Sequence, residues 1–296
     1  MKKIYFIFTK MEFEAKYPVH PNLQKHIKYY YFVKTSHSNH HSLYYSFPNT
    51  TIPINIHKNV TCKIAGSKVT VSEAAQLNYL TIANGLRESP LVVEWNGLID
   101  KVTIAFSATG INYFINRGLN ESIAGFTSLF TGWDGSGYSE CLERFFSGND
   151  IQERVHILED FLLSMYHPFE KANILEPAIR LLADFNHEMT ISQIAAQIKT
   201  SERTLNRLFK LHIGISPVAY RKIARFRQSL ENKVVKEKFK RLTDIGYESN
   251  YYDQAYFIKM YNKLSGKSPK DLYKSVNKLA DDNVIFEFLE NSIEFG

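Results

Sequence analysis

The sequence predicts an α+β protein in two halves, a small β-barrel or sandwich with flanking helices followed by an all-helical domain. Three observations predict it. Over residues 1–167, short β-branched and aromatic runs recur between turn signals. From residue 171 the apolar spacing becomes helical and stays so. Within that second half, one pattern of two short helices occurs twice. A chain of 296 residues suits two domains better than one core, and 44% hydrophobic content with 14% aromatics is incompatible with disorder.

The elements follow in order. Ile4–Phe8 reads as an N-terminal strand, too short for a secretory apolar segment and without a small-residue cleavage site. Asn22–Phe32 reads as a helix. Strands are expected at Leu43–Phe47, Thr51–Ile56, Lys68–Val71, Leu77–Ile82, Leu91–Trp95 and Leu98–Phe106, separated by Pro48-Asn49, Ala65-Gly66-Ser67, Asn84-Gly85 and Asn96-Gly97. The last two strands, joined at Asn96-Gly97, look like a tight hairpin. Helices are expected to begin at Ile111–Ile115 and to cover Leu142–Phe146 and Ile151–Tyr166. No apolar run approaches the length of a membrane span. Cys62 and Cys141 are too few and too far apart for a disulfide scaffold or a Cys-rich zinc site, which fits a reducing cytoplasm.

The boundary between halves is expected near His167-Pro168, with no Gly/Ser linker, so that the halves can touch. Ile174, Leu175, Ala178, Ile179, Leu181, Leu182 and Phe185 then mark one helix face, with Pro177 tolerated in its first turn. Thr190 and Gln193 fit a capping box ahead of Ile194, Ala195 and Ile198. After a break at Lys199-Thr200, Ser201 can cap a second helix with Leu205, Leu208 and Phe209 at 3–4 spacing, which Gly214 and Pro217 end. This is the helix-turn-helix pattern, and the polar face of its second helix holds Arg203, Asn206 and Arg207. The pattern recurs over 242–269. Gly214-Ile-Ser216-Pro217 returns as Gly266-Lys-Ser268-Pro269, and Leu205 and Phe209 return as Phe257 and Tyr261. The amphipathic segment Val218–Leu230 joins the two.

Charge is divided the same way. Residues 1–170 have no net charge, residues 171–276 carry +10, and residues 277–296 carry −4 and read as an acidic C-terminal tail. A basic block on a helix-turn-helix repeat points to a polyanion, double-stranded DNA. Arginine pairs with guanine O6 and N7, and asparagine or glutamine with adenine N6 and N7, whereas Lys233, Lys236, Lys238 and Lys240-Arg241 suit phosphates or a solvated connection.

The repeat resembles the DNA-binding domain of the AraC/XylS family of bacterial transcription regulators. The resemblance lies in Ile194-Ala195, Ser201, Leu205, Arg207, Phe209, Gly214-Ile-Ser216-Pro217, Tyr220 and Arg225-Phe226. In the second unit it lies in Ile245, Tyr251, Asp253-Gln254, Phe257, Tyr261 and Gly266-Lys-Ser268-Pro269. It covers about 171–276 and implies two helix-turn-helix units whose recognition helices enter successive major grooves. By position, Arg203, Asn206 and Arg207 would read bases in the first site, and Gln254, Tyr256 and Lys259 in the second. Three positions depart from the family: Lys199 and Asn250 stand where its turn often has Gly, Gly246 replaces the usual Ala, and Arg241 stands where Thr190 caps the first unit.

The first half resembles the cupin-like N-terminal domains of some members, through Phe47-Pro48-Asn49, Gly85…Ser89-Pro90 and Phe106-Ser-Ala-Thr-Gly110. Such domains sense a small molecule, dimerise, or both, and RNA polymerase is a partner where the regulator is an activator. The rival reading is a cupin-type enzyme or binding module with an accessory DNA-binding domain. A metal cupin needs a His-x-His pair on one strand. His40-His41 are adjacent and point to opposite faces, and His20, His26, His37 and His57 have no ligand spacing and read as surface or loop histidines. No catalytic residue, metal ligand set or cofactor is therefore assigned. Tyr44, Tyr45, Trp95, Phe106 and Tyr113 read as core, with the wall of an apolar cavity as the alternative.

Overall fold

Alternation along the strands builds the N-terminal half. The computed structural model describes residues 11–235, 254–279 and 284–288, so the Ile4–Phe8 strand lies outside the described residues. One six-stranded antiparallel sheet runs β1 (Met11–Lys16), β2 (Ile27–Thr35), β9 (Asp100–Phe106), β4 (Ile52–Lys58), β7 (Tyr79–Asn84) and β10 (Thr127–Leu129). In β4 and β9, Ile52, Ile54, Ile56, Val102, Ile104 and Phe106 turn to one face, fully buried with Phe145, Leu158 and Leu162. Those last three come from α3 (Ser136–Ser147) and α4 (Ile151–Met165). Asn55, His57, Lys101 and Thr103 turn to the other face.

That second face is covered by another sheet. Its order is β11 (Asn277–Leu279), β12 (Val284–Phe288), β3 (His41–Ser46), β8 (Leu91–Asn96), β6 (Lys68–Glu73) and β5 (Val60–Ala65), with β6 and β8 parallel. Val69, Val71, Leu91, Val93 and Trp95 pack from it against Val33 and Ile82. The result is a sandwich of two open sheets, not a closed barrel. Within the acidic C-terminal segment, β12 pairs with β3, Phe286 opposite Ser46, and so brings residues 284–288 to the N-terminal half.

Three expectations are corrected. Asn22–Phe32 is not a helix: a four-residue helix, α1 (Pro21–Gln24), gives way to β2. Ile27, Tyr29, Tyr30, Phe32 and Val33 are all buried because both faces of this sheet are covered, and that erases the period-2 signal. Leu91–Trp95 and Leu98–Phe106 are strands but not a hairpin. Gly97 does turn, at φ 83°, yet β8 and β9 enter different sheets. Pro177 lies inside α5 (Ala172–Leu182), not in its first turn, because the helix starts earlier than the apolar face suggests. The stretch after β9 is a 3₁₀ turn, Gly110–Tyr113, followed by α2 (Leu119–Ser122). A Cβ on Gly110 would sit 2.1 Å from the His26 carbonyl oxygen, so glycine is required by close approach.

The C-terminal half is helical: α6 (Ile191–Gln197), α7 (Glu202–His212), α8 (Pro217–Leu230), a π-helical turn at Glu231–Val235, α9 (Gln254–Ser265) and α10 (Pro269–Ser275). One continuous apolar core runs from Ile54 and Phe106 through Phe114 and Leu175 to Leu205 and Phe226. The halves touch, as the missing linker suggested. Asn112 donates to the His212 carbonyl at 2.9 Å, and Tyr113 Oη donates to Glu176 at 2.7 Å.

Candidate nucleic-acid interface

Capping residues set the first unit. Thr190 Oγ1 accepts from the Gln193 amide at 3.2 Å while Gln193 Oε1 accepts from the Thr190 amide at 2.8 Å, the reciprocal box the sequence indicates. Ser201 caps α7 by accepting from the Thr204 amide at 3.1 Å. The repeated Gly-x-Ser-Pro has one physical meaning in both places. Gly214 (φ 86°) and Gly266 (φ 75°) close one helix in the left-handed region. Ser216 and Ser268 then cap the next helix, with Pro217 and Pro269 at its first position.

Between α6 and α7, Lys199 adopts φ 55°, the left-handed turn for which glycine is better suited. Lys199→Gly should therefore stabilise the protein by up to about 1 kcal/mol, the relieved strain being partly offset by glycine's unfolded-state entropy. A urea midpoint that falls instead would show that the lysine stem contributes more than the strain costs.

Leu205, Leu208 and Phe209 are buried, so the opposite face of α7 is left for solvent. Arg203 and Arg207 are exposed on it, and half-buried Asn206 lies between them and donates to the Glu202 carbonyl at 2.9 Å. The three are thus brought together at i, i+3 and i+4 on one face. The N-terminal half meets α7 near its C-terminal end, where Asn112 pairs with His212 and a Cβ on Gly118 would touch Leu211.

In the second unit, Gln254 opens α9, and Tyr256 and Lys259 are exposed on the side away from buried Phe257, Met260 and Tyr261. Tyr261 ties this helix to α8 through Ser229 Oγ at 2.6 Å and to α10 through Tyr273 Oη at 2.7 Å. Ile245-Gly246, Asn250, Tyr251, Asp253, Lys236, Lys238 and Lys240-Arg241 lie outside the described residues. Arg221 and Arg225 face inward: both pair with Glu188, and Arg225 lies over the Phe185 ring at 5.0 Å.

A second feature lies between the sheets of the N-terminal half, a cavity of about 100 Å³. Tyr44 and Trp95 line it, while Tyr45, Phe106 and Tyr113 belong to the other core. One wall is polar. Lys101, 3% exposed, donates to Asn55 Oδ1 at 3.0 Å and lies 5.1 Å and 5.0 Å from the Tyr31 and Trp95 ring centres. Opposite it across β4 and β9 stands His57, 2% exposed, whose Nδ1 is buried without a hydrogen-bond partner among the described residues. His26 is buried as well. The expectation of surface histidines is thus corrected for both, since stacked sheets and aromatic packing enclose them. Lys101 was missed because Lys101-Val-Thr103 alternating with apolar neighbours reads as a solvent face.

Burial pushes the Lys101 ammonium down to about 7 and holds the His57 imidazole well below its usual value. From there to the ordinary lysine pKa near 10.4, the unfolded chain carries a proton that the folded chain lacks. The contribution of Lys101 to folding stability should therefore rise with pH across that window, by at most about 1.4 kcal/mol per unit, while the Cys62 and Cys141 thiols, pushed up by burial, oppose it toward the upper end. His57 is already neutral there, and burial raises Tyr31 and Tyr44, so that the lysine is read below pH 10 as the difference between two proteins that share these tyrosines. Lys101→Met should flatten the rise. Parallel urea midpoints for both proteins from pH 7 to 10 would contradict this.

Residues 194–275 match the family described as helix-turn-helix domain. No curated protein matches the chain. Among solved structures, a 1.65 Å structure of ToxT from Vibrio cholerae (P21 form) is similar at 9% identity and a TM-score of 0.45, over 90% of this chain and 98% of that one. ToxT from Vibrio cholerae O395 is similar at 14% identity and a TM-score of 0.41, over 80% and 97%. Unsaturated fatty acid bound wild-type ToxT from Vibrio cholerae strain SCE256 is similar at 9% identity and a TM-score of 0.43, over 90% and 95%.

Proposed function

We propose that the chain is a sequence-specific DNA-binding transcription regulator of the AraC type whose N-terminal half responds to a small molecule, a reading supported by the match of residues 194–275 to the helix-turn-helix family. The observation that carries the reading is α7. Its apolar face is wholly buried, its start is capped, and its free face presents Arg203, Asn206 and Arg207. Short α6 braces it, and guanidinium and amide groups at that spacing suit base edges in a major groove. Gln254, Tyr256 and Lys259 on α9 are the second reading set. The role is binding rather than catalysis, in the cytoplasm; no helix among the described residues is long and apolar enough to cross a membrane.

A route joins the two halves. Ser46 and Asn84 line the cavity. Buried Arg87 holds Ser46 through its carbonyl at 2.7 Å and its hydroxyl at 2.9 Å. The next residue, Glu88, faces Lys222 of α8 at 3.9 Å and Lys263 of α9 at 3.4 Å. A molecule that shifts Ser46 acts on the contact between the sensor half and the helical half, at the joining helix α8 and at α9 of the second unit. Binding of the full chain to a duplex should weaken steeply with salt, by about 0.9 in the log–log slope for each neutralised phosphate. A folded chain with no salt-dependent retention on duplex DNA would end this reading.

A further inference from the structure

We infer that Ile258 of α9 is a further base-reading residue, and that the base it reads is thymine, recognised by its C5 methyl group. This rests on reading the two helix-turn-helix units as base readers, and it makes the two halves of the DNA site chemically unlike.

Register is the first argument. The two units align residue for residue at one constant offset. Buried Leu205, Leu208 and Phe209 of α7 correspond to buried Phe257, Met260 and Tyr261 of α9, and Gly214 and Ser216-Pro217 to Gly266 and Ser268-Pro269. Buried faces and capping turns thus agree, so the free faces of the two helices correspond as well. At that offset Arg203, Asn206 and Arg207 fall on Ala255, Ile258 and Lys259. All three are exposed, at i, i+3 and i+4 opposite the core. The cation is kept, whereas the other two places have lost every side-chain donor and acceptor.

Exposure is the second. Ile258 is 39% exposed on a helix whose apolar face is already filled by Phe257, Met260, Tyr261 and Leu264. A β-branched residue at such a position adds little to packing and is a poorer helix former than the long polar residues usual there. Ala255, one turn before it, is small enough to let α9 lie close to the base edges. Chemistry is the third. In the major groove thymine presents a methyl group beside its O4 acceptor, while the other bases present hydrogen-bonding groups alone. Against an isoleucine those groups would lose water and gain no partner, whereas the thymine methyl gains an apolar contact. The face of α7, with two arginines and an asparagine, suits guanine and adenine instead.

The test is a uracil scan. The full chain first selects a preferred duplex from a random pool, and the block that Arg207→Ala does not degrade is assigned to α9. Each thymine in that block is then replaced singly by uracil, which pairs in the same way but lacks the methyl group. Affinities are measured for wild type and Ile258→Ala, with folding checked by circular dichroism. At one position wild type should lose about fourfold, the effect of one methyl group taken out of water, while Ile258→Ala binds both duplexes equally. Ile258→Asn, which carries the residue of the first unit, should lose the preference for thymine there. A block without thymine, a wild type indifferent to every replacement, or a folded Ile258→Ala with the same uracil loss as wild type would overturn the assignment and leave DNA reading by the two units standing. If wild type selects no sequence at all, that reading fails and this assignment with it. Should Ile258→Ala not fold, the wild-type scan alone decides.

Discussion

Leu205→Ala should destabilise the protein by about 2–5 kcal/mol, the cost of emptying a fully enclosed leucine site. Leu205 is 0% exposed at the centre of α7, and the core it belongs to includes Ile194 and Ala195 of α6. It is the same core that reaches Phe106 and Phe114 in the N-terminal half. Loss should therefore appear in the unfolding of the whole chain, read by helical ellipticity and by Trp95 and Trp133 together. Two separate transitions, with the tryptophan signal unmoved, would show that the halves hold together less than this core implies.

Arg207→Ala should leave the fold intact and remove discrimination at one or two base pairs, at roughly 1–3 kcal/mol. The side chain is exposed beside Arg203 and opposite buried Phe209, so its removal empties nothing. Lys210, exposed one turn on, is the comparison. Lys210→Ala should weaken all duplexes about equally and lower the salt slope by about one. Binding of each variant to a preferred duplex and to its single-base variants reads both effects. Folded Arg207→Ala with full base preference would move the reading face elsewhere.

The first helix-turn-helix was legible because its signals are local. Thr190 with Gln193, Ser201, Gly214 and Ser216-Pro217 each act within a few residues of their own position, and each does in the structure what its type dictates. The left-handed turn at Lys199 could be read from where glycine was missing. Strands β1, β5, β10, β11 and β12 were not expected, whereas β3, β4 and β6 to β9 were found for the same reason, from β-branched runs and turn dipeptides. Their partners were not, because pairing is a long-range property: nothing near Asn96-Gly97 says that a second sheet lies over the first. That sheet also hid the cavity. His57, Lys101 and Thr103 look like the wet side of a strand until Val69, Val93 and Trp95, from distant segments, close over them. Tyr29 to Val33, buried on both sides, lost the alternation that would have marked β2.

The central claim is that two recognition helices, α7 and α9, read one face of a duplex. Selection of binding sites by the full chain from random duplex DNA tests it most directly. The expected result is an enriched sequence of two conserved blocks about one helical turn, roughly 10 base pairs, apart, with one block degraded when the selection is repeated with Arg207→Ala. A pool that binds with normal salt dependence but yields no preferred sequence would contradict it, leaving a basic surface without a code.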